Sequence, residues 1–478
     1  MSRIIVHTEQ NPEDNAMLQA LYSRSDASVT EHISKLKGAG SGEFMSKYYL
    51  GYGHKSIADC GFVTVYFENI SMLAAKALED HDLFNGQESS TRYIDFSKRE
   101  FINPIKYFSH GLKNHNKLLR DGDSVLESLR LFYLTSNEEL VADLKTRFHR
   151  ESNQSEAVYE KAIQARAFDI LRGWLPAGAT TNVAVTMNLR NLEEHLSRLI
   201  FHPLTEVSQM AWKGYEQLRE RFPNSFRDIF NVLGQSFEAS AWDEDLKNHF
   251  DWEYLSFHGG EVNSFYNPVE LPGSVGSEDI QVKYHMMSRD VDGFASIEPG
   301  PGRNPFPRHL FKAWNRITVE ALIDFGSYRD IQRHRAGYCS NFMLSNMFVC
   351  SMDGEIPDHP WYKDQLTDSL REKAEALDSY LQKTLRYLYD APTFLLASDL
   401  QYFFPMKSVV PLALDYDIEQ ARYVAELRAG KTVHPTLRPI AQAIGRELNR
   451  QQIRCNFDNS EDSWTIKRGT QDIIEVTS

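Results

Sequence analysis

The chain has 478 residues, enough for two or more domains that each bury a core, and its 42% hydrophobic and 25% charged content is typical of a globular protein. Because 66 acidic residues outnumber 52 basic ones, the formal net charge is −14, which disfavours a general nucleic-acid or anionic-membrane surface. An anionic ligand would therefore need a local cationic pocket.

The N-terminal sequence and the cysteines bear on the compartment. The first residues become acidic and polar too early for a signal peptide, and no 18-residue apolar run follows. The four cysteines form no CxxC pair, so neither a disulfide framework nor a thiolate metal site is expected. We expect a cytoplasmic protein with reduced thiols, no metal and no membrane segment.

Elements of the first half come in a clear order. The run from Cys60 to Phe67, rich in aromatic and β-branched residues, predicts a buried strand. A short helical segment and the charged triplet Asp80-His81-Asp82 follow. Further on, one helical stripe is predicted from the spacing of Leu189, Leu192, Leu196 and Leu199.

The sequence divides near residue 265 and then repeats this order. Residues 256–279 are dominated by Gly, Pro, Ser and Asn without apolar periodicity, which predicts domains at 1–265 and 266–478. In the second half, a long amphipathic helix is predicted from leucines between Leu366 and Leu388, and another helix ends near Gly430. The predicted fold class is α+β, a helix-rich tandem repeat with small antiparallel sheets.

The triplet Arg333-His334-Arg335 is a tight cationic cluster in an acidic chain. On a helix its two arginines would diverge by about 200°, and on a strand they would share a face. Either geometry suits a large polyanion such as a dinucleotide, because guanidinium groups grip phosphates bidentately. A solvated charged surface is the alternative explanation.

Other polar motifs lie in the first half. An extended segment would place Glu88, Ser90 and Arg92 on one side, able to contact a pyrimidine edge and a phosphate, although a polar turn would look the same. Arg172 precedes a Trp-Leu-Pro that should end its helix. Asn188 and Arg190 are two residues apart and cannot both face a core.

Together these motifs resemble the flavin-dependent thymidylate synthase family. That family carries an Arg-His-Arg triplet and then Glu-x-Ser-x-Arg-Tyr, an arginine four residues before a proline, Thr-x-Asn-x-Arg, and a Leu-Arg that ends the next helix. The resemblance covers most of both halves, so the chain resembles two fused copies, each with a thymidylate synthase-like fold.

The two copies have lost different parts of the pattern. The first keeps Glu88, Ser90, Arg92, Tyr93, Arg172, Asn188 and Arg190, but it has the acidic triplet and Leu199 where the family's later arginine falls. The second keeps Arg333-His334-Arg335 and places Arg428 at that later position. It lacks the Glu-x-Ser-x-Arg-Tyr segment and has Gln401, Asp417 and Glu419 where the first has Arg172, Asn188 and Arg190.

The resemblance implies an enzyme that reductively methylates deoxyuridine monophosphate (dUMP) to dTMP. FAD is the implied cofactor, and NADPH and methylene-tetrahydrofolate are the implied co-substrates. Two chains would form a homodimer equivalent to the family's homotetramer, with competent sites that join the second half's triplet to first-half residues. The acidic triplet would repel phosphates, which leaves one FAD per chain.

Residue roles follow from the same resemblance. Arg92 and Ser90 are assigned to catalysis through substrate contact, and Ser90 is not expected to act as a nucleophile because its motif offers no evident base. The implied substrate contacts are Glu88, Ser90, Arg92, Tyr93, Arg172 and Arg428, and the implied cofactor contacts are Arg333, His334, Arg335, Asn188 and Arg190. Two alternatives stay open: a one-carbon transferase acting on another pyrimidine nucleotide, and a non-catalytic flavin or nucleotide binder.

Overall fold

The fold is known from a computed structural model. It describes residues 2–8, 11–23, 25, 27–39, 55–91, 94–107, 115–152, 154–226, 280–286, 315–341, 344, 356–390 and 397–460. The chain forms two compact units. Unit 1 comprises Met1–Ser109 and Gly178–Leu255, and unit 2 comprises His110–Ala177 and Ser256–Ser478.

These units differ from the predicted halves in one respect. The chain passes finally into unit 2 after Leu255, near the predicted boundary, which itself lies outside the described residues. Residues 110–177 of the first half, however, belong to unit 2. Their place there is fixed by packing, since the helix His115–Thr135 lies against the helix Asp368–Asp390 and Tyr380 donates a hydrogen bond to Ser124.

Unit 1 is built around a four-stranded antiparallel sheet with strand order β1-β2-β4-β3. Alternate residues of the second strand are buried, as in Val63, Val65 and Phe67, because one face of the sheet covers the core. The strands are β1 (Arg3–His7), β2 (Phe62–Ser71), β3 (Asn85–Glu88) and β4 (Thr180–Asn188). The described helices are α1 (Pro12–Tyr22), α2 (Val29–Ala39), α3 (Met72–Glu79), α7 (Leu189–Leu199) and α8 (Thr205–Arg221).

Unit 2 has a second four-stranded antiparallel sheet, with strand order β5-β6-β8-β7. Its strands are β5 (Gln281–Met286), β6 (Asn315–Asp324), β7 (Gly337–Asn341) and β8 (Val409–Asp417). First-half sequence contributes α4 (His115–Thr135), α5 (Asn137–Arg147) and α6 (Glu156–Leu171). Second-half sequence contributes α9 (Phe325–Ile331), α10 (Pro360–Asp364), α11 (Asp368–Asp390), α12 (Ala397–Leu400), α13 (Ile418–Arg428) and α14 (Arg438–Arg450).

The two sheets are equivalent in detail. In both, the first, second, fourth and third strands along the chain are neighbours in that order. Ser71 caps the helix after β2 by accepting from the Ala74 N–H, and Asp324 caps the helix after β6 by accepting from the Ser327 N–H. A helix follows the fourth strand in both, capped by Asn188 in α7 and by Asp417 in α13.

The equivalence extends to a bridge beside each fourth strand. In unit 1, Phe101 bridges Ala179 and the Ile102 N–H donates to the carbonyl of Gly178. In unit 2, Asp358 bridges Ser408 and the His359 N–H donates to the carbonyl of Lys407. Phe101 and Gly178 therefore correspond in position to Asp358 and Lys407.

Most predicted elements agree with the structure, but the strand predicted from Cys60 to Phe67 spans Phe62–Ser71, and Cys60 ends a 3₁₀ helix before it. Two small antiparallel sheets and many helices confirm the α+β class. All four leucines of the Leu189 to Leu199 stripe are buried, and the helix before Trp174 ends at Leu171, as predicted. Leu366 lies just before α11 rather than within it, and α13 ends at Arg428 with Ala429 as its cap. None of the helices in the described part of the chain is long and apolar enough to cross a membrane.

Candidate functional site

The cationic triplet lies in a turn between α9 and β7, neither on a helix nor on a strand. Its three side chains differ in exposure: Arg333 is exposed, Arg335 is half-buried, and His334 is buried. The turn therefore presents two guanidinium-bearing residues on either side of a buried imidazole. Such an arrangement suits an anion that approaches from solvent.

His334 is held neutral by its neighbours. The Nε of Arg428, at the end of α13, donates a hydrogen bond of 2.8 Å to Nε2 of His334, so the ring proton lies on Nδ1. Burial, reinforced by the charge of Arg428, lowers the pKa of His334 to about 3. The Nη2 of Arg428 also donates to the Asp330 carbonyl at 2.8 Å, and burial lowers the pKa of Arg428 itself. Arg428 thus joins the end of α13 to the end of α9.

Arg172, a residue of the first half, lies close to Asp330 in unit 2. It follows α6 and begins a short 3₁₀ turn, Arg172–Trp174, which brings its Nη2 to 3.8 Å from the Asp330 carboxylate. Burial alone would lower the pKa of Arg172, but the carboxylates of Asp169 and Asp330 outweigh it and raise the pKa. Its Nε and Nη2 are shielded from solvent and donate no hydrogen bond to the protein.

The surroundings of Arg172 are acidic, which the sequence did not predict. Asp330 and Asp169 lie beside it, and Asp324 contributes a third negative charge. Tyr362 donates a hydrogen bond of 2.8 Å to Asp324, and burial raises the pKa of Tyr362. Asp330 was detectable in the sequence, since it lies only four residues before His334. No sequence pattern pointed to Tyr362.

The equivalent turn of unit 1 is arranged differently. Asp80 forms an ion pair with Lys76, four residues earlier in the chain, and both side chains are largely buried. The ring of His81 lies against His195 of α7, with centroids 4.8 Å apart, and Nε2 of His195 donates to the Leu78 carbonyl at 3.1 Å. Burial lowers the pKa values of both histidines, that of His195 to about 3.

The remaining predicted residues lie in unit 1. Glu88 ends β3 and Ser90 follows it, while Arg92 and Tyr93 lie outside the described residues. Asn188 uses its side chain to cap α7 by accepting from the Asn191 N–H at 2.8 Å. Nε of Arg190 lies 2.7 Å from a carboxylate oxygen of Asp59.

Gln401, which the motif comparison places opposite Arg172, forms local hydrogen bonds. Its Oε1 accepts from the Leu344 N–H and its Nε2 donates to the Ser398 carbonyl, both at 3.1 Å. A neutral amide with these partners cannot supply the charge of an arginine. Of the predicted residues, unit 2 therefore brings together Arg172, His334 and Arg428, with Arg333 and Arg335 on the same turn as His334.

Comparison with known proteins agrees with the motifs. Residues 3–224 match the family described as thymidylate synthase complementing protein. A flavin-dependent thymidylate synthase of Thermococcus onnurineus is 27% identical over 211 residues, which are 44% of this chain and 75% of that protein. The predicted resemblance to this family is thereby confirmed.

Longer relatives match along most of both chains. A protein of Thermoplasma acidophilum named UPF0159 is 23% identical over 479 residues, covering 91% of this chain and 92% of that protein. Another UPF0159 protein, from Chlamydia pneumoniae, is 22% identical over 442 residues, or 85% of this chain and 78% of that protein. Their names state no activity.

Proposed function

We propose that this protein, whose residues 3–224 match the thymidylate synthase complementing protein family, is a flavin-dependent enzyme that methylates a pyrimidine nucleotide. The preferred reaction is reductive methylation of dUMP to dTMP. Methylene-tetrahydrofolate would supply the carbon, and NADPH would supply reducing equivalents through FAD. The chain would act in the cytoplasm as a homodimer with one competent site per chain.

The observation that carries the proposal is the cluster in unit 2. The first copy retains Arg172 but lacks a cationic triplet, and the second retains the triplet and Arg428 but lacks the arginine equivalent to Arg172. In unit 2, Arg172 and Arg428 both contact Asp330, and Arg428 contacts His334. Complementary losses are expected if one site uses residues from both copies.

The turn in unit 2 fits an anionic dinucleotide cofactor, and its unit 1 counterpart does not. Arg333 is exposed and Arg335 half-buried, so either guanidinium can reach a phosphate from solvent. At the equivalent turn, Asp82 is exposed and Asp80 is paired with Lys76. A unit charge pair at 4 Å is worth about 4 kcal/mol at an effective dielectric of 20, so each reversed charge replaces about 4 kcal/mol of attraction to a phosphate by about 4 kcal/mol of repulsion. FAD would be held by Arg333, His334 and Arg335 and would supply hydride chemistry.

Buried Arg172 and half-buried Arg428 would contact the pyrimidine. Arg172 and Arg428 are donors only, and a uracil ring offers two carbonyl acceptors. The Asp330 carboxylate can accept from a ring N–H, because it lies beside Arg172 at the same place. Fixed positive charge near the carbonyls would stabilise negative charge that develops on the ring. Glu88, Ser90 and Asn188 retain the substrate and cofactor roles implied by their motifs, as do Arg92, Tyr93 and Arg190.

Two sheets of the same strand order support a tandem duplication. So do the matching helix caps after the second and fourth strands of each sheet. The Thermococcus enzyme aligns with less than half of this chain, whereas the Thermoplasma protein aligns with nearly all of it. A fusion of two copies would explain why the Thermococcus enzyme aligns with about half of this chain and the Thermoplasma protein with nearly all of it.

A second acceptor is favoured by the acidic surroundings of Arg172. Asp169, Asp324 and Asp330 all act on this one guanidinium, so the neighbourhood is richer in hydrogen-bond acceptors than in donors. An amino-bearing pyrimidine, as in a cytidine nucleotide, would donate hydrogen bonds where uracil would not. One-carbon transfer to such a nucleotide is therefore the second candidate function.

The purified full-length chain tests both candidates. We expect flavin absorbance near 450 nm, FAD bound at one per chain, and bleaching by NADPH. Colour should return when dUMP and methylene-tetrahydrofolate are added together, with dTMP as product. Turnover with dCMP but not dUMP would establish the second candidate, and flavin binding without turnover would leave only a binding role. Absence of flavin binding would overturn the proposal.

A further inference from the structure

Unit 2 contains a cavity of about 260 Å³ that is separate from the residues named above. Its walls come from the bridge at Asp358, from α10, from α11 and from the turn before β8. Five ionisable residues line it: Asp358, Lys363, Glu375, Asp378 and Lys407. Because pockets for drug-sized ligands hold roughly 300–1,000 Å³, this cavity would admit only a small molecule.

Lys407 is a fixed part of the wall. Its side chain is 1% exposed, and its ammonium bonds to Asp358 and lies 2.9 Å from Oδ1 of Asp378. It also lies 5.2 Å from the ring centroid of Trp174, an additional cation–π contact. The positive charge of Lys407 is thus already matched inside the protein.

Lys363 is held less firmly. Its Nζ lies 3.0 Å from Oδ2 of Asp378, and its side chain is 32% exposed. The Lys363 ammonium therefore pairs with a carboxylate of the cavity but can also move out into solvent. A ligand ammonium could take its place.

The carboxylates retain capacity to accept. Three acidic residues line the cavity against two lysines, which gives a formal charge of −1. Oδ1 of Asp358 is shielded from solvent and has no hydrogen-bond partner, whereas the two carboxylate oxygens of Asp378 lie next to the ammonium groups of Lys407 and Lys363. Burial raises the pKa of Asp358 although Lys407 opposes it, so the two lysines do not fully compensate this carboxylate.

The fold does not require these charges. At the equivalent bridge of unit 1, Phe101 occupies the position of Asp358 and Gly178 that of Lys407. A buried ion pair is often no more stabilising than apolar packing of similar volume, because desolvation offsets the Coulomb attraction. A charged pocket at a bridge whose described counterpart in unit 1 carries Phe101 and Gly178 points to a use other than stability.

We infer that this cavity binds a small organic cation, an amine or a guanidine, on the carboxylates of Asp358 and Asp378. Such ligands only donate hydrogen bonds, which matches the unpartnered Oδ1 of Asp358 and the position beside Asp378 that Lys363 can vacate. A metal ion is disfavoured, since the described part of the chain contains no group of three or more His, Cys, Asp or Glu placed to hold one. The inference does not depend on the proposed function.

Calorimetric titration of the full-length chain with 1,4-diaminobutane, and separately with methylguanidine, tests this site. We expect saturable binding of at least one of them at near-physiological salt. Tetramethylammonium has the same single charge as methylguanidinium but no N–H donor, so it should bind at least tenfold more weakly than methylguanidine. Absence of saturable binding by both probes, or equal binding of tetramethylammonium, would overturn the inference.

Three variants locate the bound cation. Asp378→Asn should weaken binding at least tenfold, and Lys363→Met should preserve or tighten it by removing the competing ammonium. Glu372→Gln, an exposed carboxylate on the same helix α11, is the matched control and should leave binding unchanged. If Asp378→Asn binds as wild type, the site is wrong. If it does not fold, weaker binding by Lys363→Met would contradict the inference independently.

Discussion

Two turns at equivalent places in the two sheets carry opposite charges. After α3, Asp80 and Asp82 flank His81, and after α9, Arg333 and Arg335 flank His334. In both turns the histidine packs against the helix that follows the fourth strand, through His195 in unit 1 and through Arg428 in unit 2. The backbone arrangement is therefore shared, and the side chains alone decide which turn can receive an anion.

The residues that contact the two turns also differ. In unit 1 the acidic residue Asp80 is compensated by Lys76 within the same helix-turn segment, and Leu199 of α7 is buried. In unit 2 the equivalent of Leu199 is Arg428, which binds His334 and the carbonyl of Asp330. In unit 1 the Asp80 carboxylate is paired and the Asp82 carboxylate is exposed, while in unit 2 Arg333 is exposed and Arg335 half-buried.

Charge reversal in unit 2 is the strongest test of this comparison. Arg333→Glu should abolish FAD binding, because it replaces a phosphate contact with repulsion. Asp82→Ala, an exposed change in the equivalent turn, should leave binding within twofold of wild type. Flavin absorbance of the gel-filtered proteins measures both, and similar losses in the two variants would refute the asymmetry.

Subunit mixing tests whether the arginines of one site share a chain. Arg172→Ala and Arg428→Ala should each be inactive, and their mixture should stay inactive, because both residues contact Asp330 in unit 2 of one chain. Exchange must first be shown with two differently tagged wild-type proteins. Recovery to about a quarter of wild-type activity, the share of intact sites in randomly mixed dimers, would place the two arginines on different chains.

Local patterns predicted much of this fold, for physical reasons. The alternate burial of residues in β2 and the leucine stripe of α7 follow from side-chain geometry alone, so both elements could be predicted from the sequence. The placement of residues 110–177 with the second half could not be predicted, because it depends on packing between α4 and α11, which are distant in sequence.

The candidate site also combines residues that motifs indicated with residues that they did not. The motifs identified Arg172, His334 and Arg428, which the structure brings together. They did not identify Asp324 and Tyr362, whose pairing joins the end of β6 to α10 across 38 residues of chain. Sequence spacing carries no information about such a contact.

Giving unit 2 the residue that unit 1 has at the equivalent position of its helix should reduce the proposed turnover. Arg428→Leu introduces the residue found at Leu199 and removes the donor to His334. We expect turnover to fall about 100-fold, as for loss of one charge-stabilising donor. The pKa of His334 should rise, because Arg428 helps to lower it, but should stay below 6.5 since burial remains the larger cause. NMR titration and steady-state kinetics measure the two effects, and turnover within threefold of wild type would contradict the assignment.

In unit 1, loss of charge should affect stability rather than flavin. Asp80→Ala leaves Lys76 buried without its partner, and we expect a loss of about 2 kcal/mol in the free energy of unfolding, less than for a fully buried pair. Adding Lys76→Met should recover most of it. Urea denaturation measures the change, and FAD stoichiometry should remain one per chain. Loss of flavin binding in Asp80→Ala would show that this turn serves the cofactor.

The smallest effect compares the two units through their buried histidines. The pKa values of His195 in unit 1 and His334 in unit 2 are each lowered to about 3, chiefly by burial. The unfolded chain takes up a proton on each near pH 6.5, whereas the folded chain does not until pH falls to about 3. Stability should therefore decrease as pH falls through this window, by about 1.4 kcal/mol per pH unit and histidine, or about 2 kcal/mol each at pH 5. Hydrogen exchange of the backbone amides measures this decrease in stability, with each variant compared with itself at pH 7. His195→Asn should make the decrease smaller at the amides of β2, and His334→Asn should make it smaller at those of β6. An unchanged pH dependence in both sheets would mean that neither imidazole is buried in the neutral form.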